Sequence, residues 1–183
     1  MNAVYPPKAP GRITGLPPVT GSAPEVLILG SFPSWQSLSR YEYYGNPRNH
    51  FWQIAEAVLA IDSTLPYTAR VVHLADRRIA LWDVIHSCLR EGSADLQIRE
   101  PVYNDIARFL AAHPTVRLIA LNGTAAGRLW NAATGPTALP SRIPVLVLPS
   151  TSPANARIPI TEKIRRWQVI RTGAAGAGAG SGN

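Results

Sequence analysis

Cysteine is almost absent from this chain: Cys88 is the single one in 183 residues. One thiol cannot build a disulfide framework, a thiolate zinc site or an iron–sulfur cluster, and its isolation fits a reducing compartment. Histidine is scarce too. His50, His73, His86 and His113 show no ligand spacing of the H-E-x-x-H kind, so surface or capping roles are expected, with no metal and no other cofactor. Lysine is confined to Lys8 and Lys163, so the excess of 18 basic over 11 acidic residues, a formal net charge of +7, is carried by arginine. Arginine grips phosphate with a bidentate fork, and this balance suits a polyanionic partner, with ordinary solubility charge as the plain alternative. No apolar run reaches the roughly 18 residues of a membrane span, and the Pro-rich start lacks the apolar core of a signal peptide. A soluble cytoplasmic protein without a membrane partner is the expectation. There is no G-x-G-x-x-G or Walker sequence, which disfavours a nucleotide-binding protein built on a phosphate loop.

What is present is a chain with 46% hydrophobic residues, enough for one core and one domain. Four short apolar runs, Glu25 to Leu29, Ile79 to Trp82, Val116 to Leu121 and Pro144 to Leu148, read as strands covered on both faces. Between and after them lie helical patterns at Phe51 to Ile61, Thr68 to Asp76, Tyr103 to His113, Thr124 to Ala132 and Ile160 to Arg171. This alternation predicts an α/β fold with a mostly parallel sheet and helices on both sides. Residues 1–22, rich in Pro and Gly, are expected to wrap the surface in extended form, 23–172 to form the domain, and the Gly, Ala and Ser tail of 173–183 to be disordered.

Each strand ends in a small or polar cluster, and in open α/β sheets ligands bind beyond the carboxyl ends of the strands. The first runs into Gly30-Ser31-Phe32-Pro33-Ser34, a turn that leaves backbone N–H groups free; Tyr43 to Trp52 follows as an aromatic loop entering a helix. Asp83 and His86 follow the second strand, Asn122-Gly123-Thr124 the third, and Pro149 to Asn155 the fourth. The third cluster reads first as turn and cap chemistry. The fourth interleaves hydroxyls and amides with two prolines, a rigid donor surface for phosphate oxygens.

Taken in order, Gly30 to Ser34, Tyr43 to Trp52, Leu81 to Ile85 and Leu148 to Asn155 resemble the motifs of the uracil-DNA glycosylase superfamily. The nearest branch is the hypoxanthine-DNA glycosylases, also called DNA-deoxyinosine glycosylases, with similarity to mismatch-specific uracil/thymine glycosylases around Asn49-His50-Phe51-Trp52. The resemblance spans roughly Glu25 to Arg171 and implies a three-layer α/β/α sandwich around a central four-stranded, mostly parallel sheet. It also implies a monomer of base excision repair that flips a deaminated base from DNA and hydrolyses its N-glycosidic bond. In mismatch-specific relatives the first motif carries an Asn that positions water, where this chain has Phe32, and a motif His is replaced by Leu148. Asn49 then becomes the expected water-positioning residue, with helix capping as its structural role. Asp83 is expected either to accept from a base N–H or to activate the water, against a bland role as a solvated or capping Asp.

Gly30, Ser31, Phe32, Tyr44 and Phe51 complete the expected base pocket, although Phe51 and Trp52 also continue the apolar face of their helix through Ala55, Val58 and Leu59. Ser34, Arg48, Ser150, Thr151, Ser152 and Asn155 are the expected contacts to the DNA backbone. Neither Lys8 nor Lys163 lies in a strand-end cluster, so no Schiff-base strand cleavage is expected and the enzyme should be monofunctional. Hypoxanthine is the first substrate expected, with uracil and xanthine as competitors; the other class of reading is a relative that binds damaged DNA without cutting it.

Overall fold

The computed structural model describes residues 11–92, 94–134 and 143–174, the side chains only as far as 171. In chain order its elements are β1 (Ile13–Thr14), β2 (Val26–Gly30), α1 (Trp35–Arg40), α2 (Phe51–Leu59), α3 (Tyr67–Asp76), β3 (Ile79–Asp83) and β4 (Ile85–Arg90). There follow β5 (Ile98–Tyr103), α4 (Ile106–Ala112), β6 (Leu118–Asn122), α5 (Thr124–Thr134), β7 (Val145–Leu148), α6 (Ile160–Trp167) and α7 (Val169–Ala174).

The four expected strands form one sheet in the order β3-β2-β6-β7, every pair parallel. All five residues of β2 are buried, and its alternation divides the core. Val26 and Ile28 face a cluster built from Phe51, Ile54, Ala55 and Val58 of α2, Leu74 of α3, Trp167 of α6 and Ile170 of α7. Leu27 and Leu29 face the opposite cluster, where Ile106, Phe109 and Leu110 of α4 meet Ala126 and Trp130 of α5. These are the three layers of an α/β/α sandwich. In α2 the apolar positions Phe51, Ile54, Ala55, Val58 and Leu59 recur at helical spacing, so one face of the helix is committed to the sheet. At the far end of the sheet the Glu25 carboxylate pairs with both Arg78 and Arg117, joining the starts of β2, β3 and β6.

A second sheet, three-stranded and antiparallel in the order β1-β4-β5, stands beyond the four expected strands. After β3 the chain crosses Val84 and changes sheet, Val84 N–H bonding Gly30 O at 2.9 Å and Asn104 N–H bonding Val84 O at 2.9 Å. The helix expected from Tyr103 therefore starts later: Tyr103 closes β5, and Asp105 caps α4 by accepting from Arg108 N–H at 2.9 Å. Two further corrections are local. A six-residue helix, α1, stands in what reads as loop, and the last helix is broken at Gln168 into α6 and α7.

Within the expected extended start, Ile13 and Thr14 pair with Cys88 and Ser87, and Val19 bridges Leu81; residues 1–10 lie outside the described residues. α7 continues through Gly173 and Ala174, and the rest of the expected tail also lies outside the description. Among the described residues no helix is long and apolar enough to cross a membrane.

Candidate active site

The carboxyl ends of the sheet line an open cavity of about 470 Å³. Gly30 and Asp83 end neighbouring strands in register, and Asn122 and Leu148 do the same on the other side. Of the residues expected there, Gly30, Ser31, Phe32, Ser34, Tyr44, Asn49, Asp83, Ser150, Thr151, Ser152 and Asn155 all line it. Phe51 and Arg48 do not. Phe51 is 2% exposed and lies in the core, while Arg48 is exposed on the loop outside.

Asp83 is the most buried of the acidic and basic side chains lining this cavity. Its side chain is 4% exposed, its Oδ2 has no hydrogen-bond partner, and a Cβ on Gly30 would collide with its Oδ1. The bare Cα of Gly30 therefore makes the room the carboxyl occupies. Burial above all, then the neighbouring Asp95 carboxylate, pushes the Asp83 carboxyl up to about 8 against the opposing pull of Arg90. That shift favours the protonated carboxyl over the ionised acceptor expected from the sequence. Arg90 is itself buried and its guanidinium is held low by that burial. It lies 4.8 Å over the Phe32 ring and donates from Nη2 to Pro33 O at 2.7 Å, leaving Nε and Nη1 without partners. Phe32 is thus pinned from one side into the small cluster with Ile85 and Cys88.

The aromatic loop is fixed by contacts on several sides. Tyr43 bonds Leu16 O through its hydroxyl at 3.2 Å, accepts from Trp52 Nε1 at 3.2 Å, and donates its N–H to the Tyr67 hydroxyl at 3.0 Å. Tyr44 adopts a left-handed backbone, φ 57°, which costs a non-glycine residue roughly 1–2 kcal/mol. Its ring stacks on Phe51 at 3.9 Å and 17°, so Phe51 buttresses the pocket wall from behind. The Tyr44 hydroxyl is buried, lacks a well-formed hydrogen bond, and its ionisation is pushed up by that burial and by Asp83. Asn49 both lines the cavity and accepts from Phe51 N–H through Oδ1 at 3.0 Å. The N-cap of α2 is His50, without a side-chain cap bond, so Asn49 makes an Asx-type turn one residue before it in place of the expected cap; that bond occupies one lone pair, and the amide N–H groups and the second lone pair are left over.

Across the cavity, Asn122 clamps the loop after β7: its Nδ2 donates to Thr151 Oγ1 and its Oδ1 accepts from Thr151 N–H, both at 2.9 Å. Thr151 O accepts from His50 N–H at 3.0 Å, tying this loop to the aromatic one. Thr151 is fully buried, so its hydroxyl holds the loop and does not reach outward to a backbone. Ser150 Oγ and Ser152 Oγ accept from Ser152 N–H at 3.2 Å and Ala154 N–H at 3.3 Å, which keeps each hydroxyl proton available as a donor. Asn155 Nδ2 closes the turn on Ser150 O at 3.1 Å. Gly123 has φ 96°, and a Cβ there would sit 2.6 Å from Ser150 Cβ, so glycine serves both the turn and the close approach. Ser34 is the N-cap of α1, accepting from Ser37 N–H at 3.2 Å.

Several lining residues were not foreseen. Asp95 comes from a 3₁₀ turn between β4 and β5 and accepts from the Ser31 hydroxyl at 2.6 Å. No local pattern marks it, since it belongs to the unforeseen sheet. Arg166 lines the cavity while its Nε pairs with Glu162 at 2.6 Å, a spacing of four residues that does show in the sequence. His86 is exposed and is not among the lining residues.

No family model matches the chain. Individual proteins do. A protein of Methanosarcina acetivorans named hypoxanthine DNA glycosylase is 37% identical over 157 residues, covering 85% of this chain and 96% of its own length. A second of that name, from Methanosarcina barkeri, is 34% identical over 114 residues, 62% of this chain and 72% of the relative. A solution NMR structure from Methanosarcina acetivorans, described as a candidate uracil DNA glycosylase, superposes with a TM-score of 0.75 at 34% identity, covering 89% of this chain and 99% of that one. Near-complete coverage at this identity, on the same three-layer fold, means that the chain belongs to the hypoxanthine DNA glycosylase branch of the uracil-DNA glycosylase superfamily.

Proposed function

We propose that this protein is a DNA glycosylase that receives one deaminated base, hypoxanthine first, in the strand-end cavity and hydrolyses its bond to the sugar. The observation that carries this reading is the convergence of Asp83, Tyr44 and Asn49 on one cleft of about 470 Å³, within the roughly 300–1,000 Å³ typical of small-ligand sites. The relatives' printed name supplies the substrate class. Extrahelical capture of a base costs a few kcal/mol of stacking, which an aromatic face partly offsets; Tyr44, buttressed by Phe51, is placed for that.

Bond breakage leaves positive charge on the sugar and negative charge on the base, so the site must orient a water on one side and tolerate an anion on the other. Asn49, with its turn bond from Phe51 N–H fixing the side chain, holds the water. Ser150, Ser152 and Asn155 on their self-bonded turn, with Arg48 outside the cavity, grip the flanking phosphates. Lys163 has no exposed surface and does not line the cavity, in keeping with simple hydrolysis and no amine-mediated strand cleavage.

Single-turnover excision from matched oligonucleotides containing hypoxanthine, uracil or xanthine, followed by alkali to reveal abasic sites, tests the reading. Wild type should release hypoxanthine, and Asn49→Ala should lose roughly 100-fold or more in rate, the scale of a misplaced reactant. Preferred release of uracil would move the substrate assignment. Tight, salt-sensitive binding without release of any base would make the protein a reader of damaged DNA.

A further inference from the structure

The strand-end carboxyl has both a geometry and a setting that the hydrolysis above leaves unexplained. Asp83 is 4% exposed, faces the cavity, and makes no ion pair among the described residues; Oδ2 is buried without a partner, and Oδ1 lies over Gly30. Resting on the glycosylase reading, we propose that Asp83 works as a neutral carboxylic acid, its carbonyl oxygen accepting from the base N–H and its O–H donating to the adjacent base carbonyl oxygen.

The chemistry favours that form on two counts. Hypoxanthine, uracil and xanthine share a lactam edge, one N–H beside one C=O, and a carboxylic acid offers one acceptor beside one donor. An ionised carboxylate has no donor and would face the carbonyl oxygen with like polarity. The second count concerns departure of the base. As the bond to the sugar breaks, its electron pair passes to the base, water adds to the sugar carbon, and the water proton ends on the base, so Asp83 keeps its own proton throughout. A neutral donor strengthens its hydrogen bond as that charge grows, whereas a carboxylate would repel it. Leu148, at the other end of the same sheet edge, lines the cavity but is apolar and offers the departing base no donor.

The groups around the carboxyl fit this role. Asp95, from the turn after β4, raises its affinity for the proton and buried Arg90 of β4 opposes, while Tyr43 and Tyr44 of the aromatic loop are both neutral neighbours. β2 contributes only the bare Gly30.

Single-turnover excision of hypoxanthine between pH 6 and 9.5 separates the alternatives, with wild type, Asp83→Asn and Asp83→Ala checked for folding by circular dichroism. The wild-type rate should fall about tenfold per pH unit above a midpoint near 8. Asp83→Asn, isosteric and neutral with one donor and one acceptor face, should keep roughly a tenth of the rate at pH 7 and lose that midpoint. Asp83→Ala should lose roughly 100-fold or more at pH 7. An unchanged alkaline midpoint in Asp83→Asn, or an Asn variant as slow as the Ala variant, overturns the proposal and makes an ionised Asp83 the working form. Failure of wild type to release any base overturns the glycosylase reading itself, and this assignment with it.

Discussion

Replacing Asp83 by Asn should stabilise the folded protein, and the stabilisation should grow as the pH rises from about 4 to 8. An Asp in the unfolded chain titrates near 3.9, whereas burial and Asp95 hold the folded-state carboxyl at about 8. Between those values the unfolded chain has released a proton that the native protein keeps, so native stability falls with increasing pH and levels off above 8. Below pH 4 both states are protonated and nothing is lost. Four pH units at 1.36 kcal/mol each set the ceiling, and integration over the window gives about 4 kcal/mol at pH 7. Asp83 is 4% exposed, so solvent screening gives little reason to reduce that figure. Asn brings its own buried amide, but that contribution does not change with pH. The pH-dependent part, roughly 3–4 kcal/mol between pH 5 and pH 8, is therefore the quantity to measure. Urea unfolding of both proteins at constant ionic strength, extrapolated to water at pH 5, 6, 7 and 8, reads it directly. The same difference should separate the melting temperatures by roughly 7–15 °C more at pH 8 than at pH 5. A gap that stays constant over the window would mean that Asp83 ionises in the native state as it does in the unfolded chain, and the neutral-acid argument would lose its basis.

Two further substitutions probe how the site is built. Gly30→Ala should displace the Asp83 carboxyl, since the new Cβ collides with Oδ1; excision should fall tenfold or more while circular dichroism stays native, and full activity would show that the carboxyl's position is immaterial. Asn122→Ala strips Thr151 of partners for both its N–H and its hydroxyl in a fully buried position. The expected loss is about 2–4 kcal/mol in urea unfolding, and a change under 0.5 kcal/mol would mean that water replaces the clamp.

The parts of this molecule that could be read in its sequence are those whose physics is local. β2, β3 and β6 are covered on both faces by helices, so each shows as an unbroken apolar run whose end marks the candidate site; β7 has an equally apolar run, yet it is the edge strand and Val145, Leu146 and Val147 are exposed. Phe51 was legible both ways, as a base contact and as the start of an apolar helix face, and its 2% exposure assigns it to the core. Thr151 belonged to a loop whose hydroxyls suit phosphate, yet its hydroxyl is taken by Asn122, a partner 29 residues away that no local pattern names. The second sheet escaped because its signals are mixed. β4 buries Ser87, Cys88 and Arg90 alongside Ile85, its pairing with β5 slips register twice, and β5 carries Pro101 and a left-handed Glu100.

That omission bears on mechanism as well as on topology. The position of Asp83 is a property of β3 and of the glycine paired with it, both visible in the chain. Its proton affinity depends on burial, on Asp95 and on Arg90, and the latter two come near it only through β4 and the turn after it. A carboxylate read from sequence alone is assigned its solution chemistry, acceptor or base. The same carboxyl, buried with no cation paired to it and with a second acid nearby, is pushed towards its protonated form, which can donate. The end of β3 is therefore legible as an edge of the candidate site, whereas the proton affinity of its carboxyl follows from burial and from groups of the second sheet and its turn, which no local pattern announces.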